Sequence, residues 1–136
     1  MTKAFIDTSV ILRLLIKDDP AKARSCEKLL REGEQRGLNL YLLPVAIMET
    51  VWVLEKIYKF ERKIIREIIE AILNTPQLKI EMEGVFRNAI KSYEEKNIKF
   101  ADALMGYWGL EKDLSVIFTY DEKDYKRIEG LEVRKP

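Results

Sequence analysis

What most constrains this chain is an alternation along its length. Short apolar runs, each too brief to make a helix, are separated by longer segments whose apolar residues recur three or four positions apart. The short runs are Lys3 to Ile6, Leu38 to Leu43, Leu78 to Met82, Ser115 to Thr119 and Leu131 to Val133. They read as strands, and the first and fourth as buried ones. Val10 to Lys17 reads as a short helix. Asp19-Pro20 supplies an N-cap and a proline at the first helical position for a helix through Ala23, Cys26, Leu29 and Leu30 that ends at Gly33. Pro44 opens a helix to about Tyr58, and Ile64, Ile65, Ile68, Ile69, Ile72 and Leu73 mark the next. Val85 to Lys96 and Phe100 to Lys112 are two more, and Asp121 to Ile128 is expected to form one or two helical turns. Gly106 and Gly109 lie inside the Phe100 helix, where each glycine costs about 1 kcal/mol, so both are expected to permit a close approach to a neighbouring backbone. Strands separated by helices throughout predict βαβ units. The expected fold is α/β, a three-layer α/β/α sandwich around a central, mainly parallel sheet, in a single domain spanning 1–136.

Absences narrow the chemistry. The 136 residues include no histidine and one cysteine, Cys26, which removes imidazole bases, Ser/His/Asp and Cys/His triads, intramolecular disulfides and nearly every mixed zinc or copper site. A reducing cytoplasm fits that usage. The start reaches a carboxylate at Asp7 before any apolar stretch develops, and no apolar run approaches the roughly 20 residues a membrane span needs, so neither a signal peptide nor a membrane span is expected. Net charge is +1, so any polyanion must be held by a local patch rather than by the field of the whole molecule.

Most acidic residues stand among Lys and Arg, as in Glu61-Arg62-Lys63, and belong to solvated faces. Four do not. Asp7, Glu49, Asp102 and Asp121 are each the sole charge of an apolar segment, where an unpaired buried carboxylate is costly. Local explanations exist: Asp7 or Thr8 can cap the following helix, Asp121 and Asp124 resemble a reciprocal cap, Asp102 suits a helix N-terminus, and Glu49 can pair with a distant Arg. Topology adds another. Asp7 and Asp121 directly follow strands, and the carboxyl ends of parallel strands share one edge, where ligands bind. Glu49 and Asp102, early in their helices, can face the same edge. Clustered carboxylates repel one another unless a cation neutralises them, and an all-oxygen donor set selects Mg²⁺ or Mn²⁺. Thr8, Ser9 and Thr119 place hydroxyls beside the acids, where they can orient waters or a ligand carboxylate. A carboxylate-bound divalent ion makes phosphodiester hydrolysis the natural reaction class.

The run Phe5-Ile6-Asp7-Thr8-Ser9-Val10-Ile11-Leu12, the helix Met48-Glu49-Thr50-Val51-Trp52-Val53-Leu54, Phe100-Ala101-Asp102-Ala103-Leu104 and Phe118-Thr119-Tyr120-Asp121-Glu122-Lys123-Asp124-Tyr125 resemble, in order and spacing, the motifs of PIN-domain nucleases, and among them the VapC-like toxins of toxin–antitoxin pairs. The resemblance spans essentially the whole chain. It implies a metal-dependent endoribonuclease in which Asp7, Glu49, Asp102 and Asp121 are the acidic metal-binding quartet and the products carry 5′-phosphate and 3′-hydroxyl ends. Asp124 is an alternative to Asp121 as outer ligand, or a helix cap. Many relatives carry Phe where this chain has Tyr125. Arg13, Lys99, Lys123 and Lys126 are candidates for sequence-independent contacts to RNA phosphates. The resemblance also implies a homodimer and a small antitoxin whose basic side chain enters the acidic pocket, with Ile11, Leu14, Leu15 and Leu29 as candidate contact residues or ordinary core.

Two other classes fit a small α/β chain rich in carboxylates. A Mg²⁺-dependent phospho-acceptor signalling domain would want an adjacent acidic pair after the first strand and an Asp after a middle strand. Here Asp7 is followed by Thr8-Ser9, and no such Asp lies between Leu40 and Met82. A catalytically silent PIN-like scaffold that only binds a partner would not need the acidic quartet to be intact.

Overall fold

The computed structural model describes residues 1–136. In chain order the elements are β1 (Thr2–Phe5), α1 (Thr8–Ile16), α2 (Pro20–Glu32), β2 (Leu38–Leu42), α3 (Pro44–Lys56), α4 (Arg62–Leu73), β3 (Leu78–Ile80), α5 (Glu83–Glu95), α6 (Phe100–Glu111), β4 (Val116–Phe118), α7 (Glu122–Tyr125) and β5 (Glu132–Arg134). The chain divides into two compact units, Met1–Phe60 with Ala71–Glu81, and Glu61–Glu70 with Met82–Pro136.

The first unit is built on a parallel sheet in the order β1-β2-β3, with Phe5 opposite Tyr41 and Leu40 opposite Leu78. Parallel strands need helical crossovers, and α1 with α2 supplies the first of them. Helix α2 starts as its sequence dictates: Asp19 Oδ1 accepts the Lys22 N–H at 3.1 Å and Pro20 occupies the first turn. Leu40, Leu42, Ile47, Val51 and Leu54 are buried in this unit, and Ile11 of α1 with them. The expectation that Ile11 might serve as a contact surface is therefore corrected, since it is 2% exposed, whereas Leu14, Leu15 and Leu29 are half-buried.

The second unit pairs β4 with β5 in parallel, Val116 opposite Glu132 and Phe118 opposite Arg134. Helices α5 and α6 pack on each other, with Phe86, Ile90, Tyr93, Ile98 and Ala103 fully buried. At Gly106 the helix α6 lies tight against side chains of the following segment, since a Cβ there would fall 2.6 Å from Ile128 Cδ1 and 3.1 Å from Leu131 Cδ1. A Cβ at Gly109 would meet only ordinary contacts at 3.5 Å or more, and the near atoms at Gly106 belong to side chains, so the close approach to a backbone expected at both glycines is found at neither. Arg62, at the start of α4, donates through Nη1 to the carbonyls of Tyr93 at 2.7 Å and Ile98 at 2.9 Å, and lies 4.1 Å over the Tyr93 ring. One guanidinium thus closes the C-terminal end of α5 and the turn beyond it, carbonyls that a helix end leaves without partners.

Two expectations about burial are corrected. In β4, Val116 and Phe118 are exposed rather than buried, and in β1 Phe5 is 71% exposed although Ile6 beyond it is buried. Both strands are paired along one edge only. Apolar composition signalled strands correctly but could not say which of them lie at an edge.

Candidate metal site and its acidic residues

In the first unit Asp7 lies just past β1 and caps α1. Its Oδ2 accepts the Ser9 N–H at 3.1 Å, and hydrogen bonds from the Ser9 side chain and backbone hold its carboxyl below the usual range. The hydroxyl neighbour Thr8 is buried, while Ser9 is exposed. Glu49 sits in the second turn of α3, which begins two residues after β2, so both acids follow the carboxyl ends of adjacent parallel strands. The two carboxyls share no hydrogen bond; every hydrogen bond acting on Asp7 comes from Thr8 and Ser9. An open cleft of about 200 Å³ beside Asp7 is lined by Ser9, Leu12, Arg13, Ile16, Asp18 and Tyr58.

In the second unit Asp102 occupies the first turn of α6, where the helix dipole favours an anion. Burial is the main influence that pushes its carboxyl above the usual range, and the negative charges of Asp124 and Asp121 push it further. A hydrogen bond from Tyr125 and the charge of Lys99 act the other way. The Tyr125 hydroxyl donates to Asp102 Oδ1 at 3.2 Å, and burial together with the three acids pushes that phenol up to about 12.

The two aspartates that the sequence left as alternatives have different surroundings. Asp124 is buried, and its Oδ2 accepts the Lys99 N–H at 3.1 Å, so it caps α6 from 25 residues away. Asp121 is exposed and makes no side-chain cap for α7, so the reciprocal cap expected of this pair is not formed. Thr119 works on the backbone: its Oγ1 accepts the Asp121 N–H at 2.9 Å and donates to the Asp121 carbonyl at 3.2 Å, fixing the turn that carries the acid.

Burial of the quartet also departs from expectation. Asp7, Glu49 and Asp121 are exposed and Asp102 is half-buried, so desolvation singles out only one of the four. An apolar helix or strand still has a solvent-facing side, and its isolated acid can stand there.

None of Asp7, Glu49, Asp102, Asp121 or Asp124 forms an ion pair with Lys or Arg. Carboxylates without an ion pair, with oxygen as their sole donor type and with Asp124 and Asp121 repelling the charge on Asp102, fit a hard divalent cation. Within neither unit do three or more such side chains close into a ligand cage. Of the candidate phosphate contacts, Arg13 is paired with Asp18 at 3.1 Å and Lys126 with Glu122 at 2.8 Å, whereas Lys99 and Lys123 are exposed without an ion pair.

Parallel strands with acids at their carboxyl ends, and a helix that presents an aspartate in its first turn, place the molecule among α/β proteins with an acidic site. The PIN domain family model matches residues 4–131, and the chain belongs to the PIN-domain family, whose three-layer α/β/α architecture is the one its sequence predicted. It is similar to a VapC ribonuclease of Aquifex aeolicus (strain VF5), with 35% identity over 99 residues, 73% of each chain. No helix is long and apolar enough to cross a membrane.

Sequence reasoning did not anticipate the Tyr125 hydroxyl. Its signal was available in the polar tip that Tyr125 carries one residue after Asp124.

Proposed function

We propose that this protein is a metal-dependent endoribonuclease, the toxin of a toxin–antitoxin pair. The observation that carries this is the likeness to a VapC ribonuclease, combined with a PIN match that runs across all four acidic motifs. In this reading residues 1–136 act as a single PIN-like domain, and Asp7, Glu49 and Asp102 hold Mg²⁺ or Mn²⁺ while Asp121 completes or gates the site. The repulsion that Asp124 and Asp121 exert on Asp102, and the absence of an ion pair at any of the four acids, support that assignment. When bound, such an ion lowers the pKa of its water and stabilises an in-line displacement at phosphorus.

The chain's own groups supply the rest. Ser9 and Thr119 fix the segments that carry Asp7 and Asp121, and Asp124 fixes the start of the helix that carries Asp102. Lys99 and Lys123 are placed to meet RNA phosphates without rearrangement, whereas Arg13 and Lys126 must first leave Asp18 and Glu122. A homodimer, a cognate antitoxin with a basic residue directed at the acids, and a cytoplasmic location complete the proposal. The exposed apolar side chains Val45, Met48 and Trp52 on α3 support protein partners.

The test is cleavage of mixed-sequence structured RNA by protein free of any antitoxin, in Mg²⁺ or Mn²⁺, beside EDTA and Asp102→Asn controls. Cutting that both controls abolish is expected. A protein that binds neither metal and cuts nothing overturns the proposal, and one that binds metal but never cuts favours the silent scaffold.

A further inference from the structure

The hydroxyl of Tyr125 has a single strong partner. Tyr125 is 5% exposed, so its O–H must be satisfied inside the protein or left at a cost of about 1–3 kcal/mol. It donates to Asp102 Oδ1 at 3.2 Å, and its other neighbour, Met105 Sδ at 3.5 Å, is a weak acceptor. Asp102 depends equally on this contact, because the terminal torsion of an aspartate is broad and two-fold and no other side chain donates to its carboxylate. The ring of Tyr125 fills space that a phenylalanine would fill as well. Beyond its contact with Met105, what the oxygen adds is one directed bond.

We propose that Tyr125 is a positioning residue that fixes the orientation of the Asp102 carboxylate, leaving Oδ2 free for a divalent cation. This rests on the reading of Asp102 as a metal ligand. Partners of this kind typically change metal affinity or activity 10- to 100-fold when removed.

The test compares the full-length wild type with Tyr125→Phe, Met105→Leu and Asp102→Asn. Calorimetric Mn²⁺ binding is expected to weaken about tenfold or more in Tyr125→Phe, with kcat falling and KM for RNA little changed. Met105→Leu alters the same pocket without touching the carboxylate, and should bind Mn²⁺ within about twofold of wild type. In wild-type protein with ¹³C-labelled tyrosine rings, the Tyr125 Cζ resonance should move on adding Mg²⁺, a response that needs no variant to fold and that a packing role would not give. Wild-type Mn²⁺ affinity and kcat in a folded Tyr125→Phe, or a Cζ resonance indifferent to Mg²⁺ that still binds through Asp102, overturns the proposal alone. If wild type and Asp102→Asn are alike in metal binding and neither cuts RNA, the nuclease reading fails and this inference falls with it.

Discussion

Replacing Asp124 by alanine should destabilise the second unit at a predictable place. Asp124 is 7% exposed and its Oδ2 accepts the Lys99 N–H, so truncation leaves the amide of the residue that opens α6 without its acceptor. Loss of a helix N-cap costs about 0.5–2 kcal/mol, and a hydrogen bond to a charged acceptor contributes about 1.5–3 kcal/mol. Relief of repulsion between Asp124 and Asp102 offsets part of this, which leaves a net loss of about 1–2 kcal/mol. For a chain of this length that is a fall in Tm of about 3–7 °C. Native-state hydrogen exchange gives the local readout: the Lys99 amide should lose about 5- to 30-fold protection. Asp124→Asn keeps an acceptor oxygen and should lose less than half as much. Asp121→Ala, exposed and uncapping, should stay within about 0.5 kcal/mol of wild type. Equal destabilisation by Asp124→Ala and Asp121→Ala, or unchanged Lys99 exchange in Asp124→Ala, would refute the assignment of Asp124 as the cap of α6.

Other perturbations have equally definite outcomes. Gly106→Ala drives a methyl to within 2.6 Å of Ile128 Cδ1, and overpacking of about 1–3 kcal/mol should outweigh the roughly 1 kcal/mol that alanine gains in a helix, giving a lower denaturation midpoint. Arg62→Ala removes two hydrogen bonds and a cation–π contact, and should cost about 2–4 kcal/mol in chemical denaturation; Arg62→Lys should restore less than half of it, lacking the planar face that lies over Tyr93. Asp102 has its folded-state pKa raised above the ordinary 3.8, so the folded form binds the proton more tightly and stability declines as pH rises from 3.8 through the folded value. Asp102→Asn should therefore melt above wild type at pH 7 in the absence of divalent metal, with the difference vanishing below pH 3.8, as followed by Tm against pH.

Local signals were the legible ones. Asp19-Pro20 predicted the start of α2 and its cap because both act within four residues, and Pro44 marked the start of α3 for the same reason. Strand ends were less sharp: Leu78 to Met82 shrinks to Leu78–Ile80 because Met82 adopts a left-handed conformation, φ 55°, that starts the next helix. The candidate acids were visible as isolated charges, but their burial was not, since an apolar segment does not disclose which of its sides faces water. The contacts that set the geometry around Asp102 were out of reach. Asp124 holds an amide 25 residues away, Tyr125 a carboxylate 23 away and Arg62 two carbonyls more than 30 away. Sequence spacing constrains what lies within a turn or two; pairings at such separations are decided by tertiary packing.

The fit of Gly106 against Ile128 bears on how this chain can change over evolutionary time. Asp102 stands one helical turn before Gly106 on α6, so any bulk gained at 106 must be absorbed either by moving the helix that carries the aspartate or by turning or shortening the side chain opposite. The second route is the one that keeps the acid in place. Positions 106 and 128 should therefore be inherited as a pair, small with large, and a lineage that acquires alanine or serine at 106 should be found to carry valine or alanine at 128.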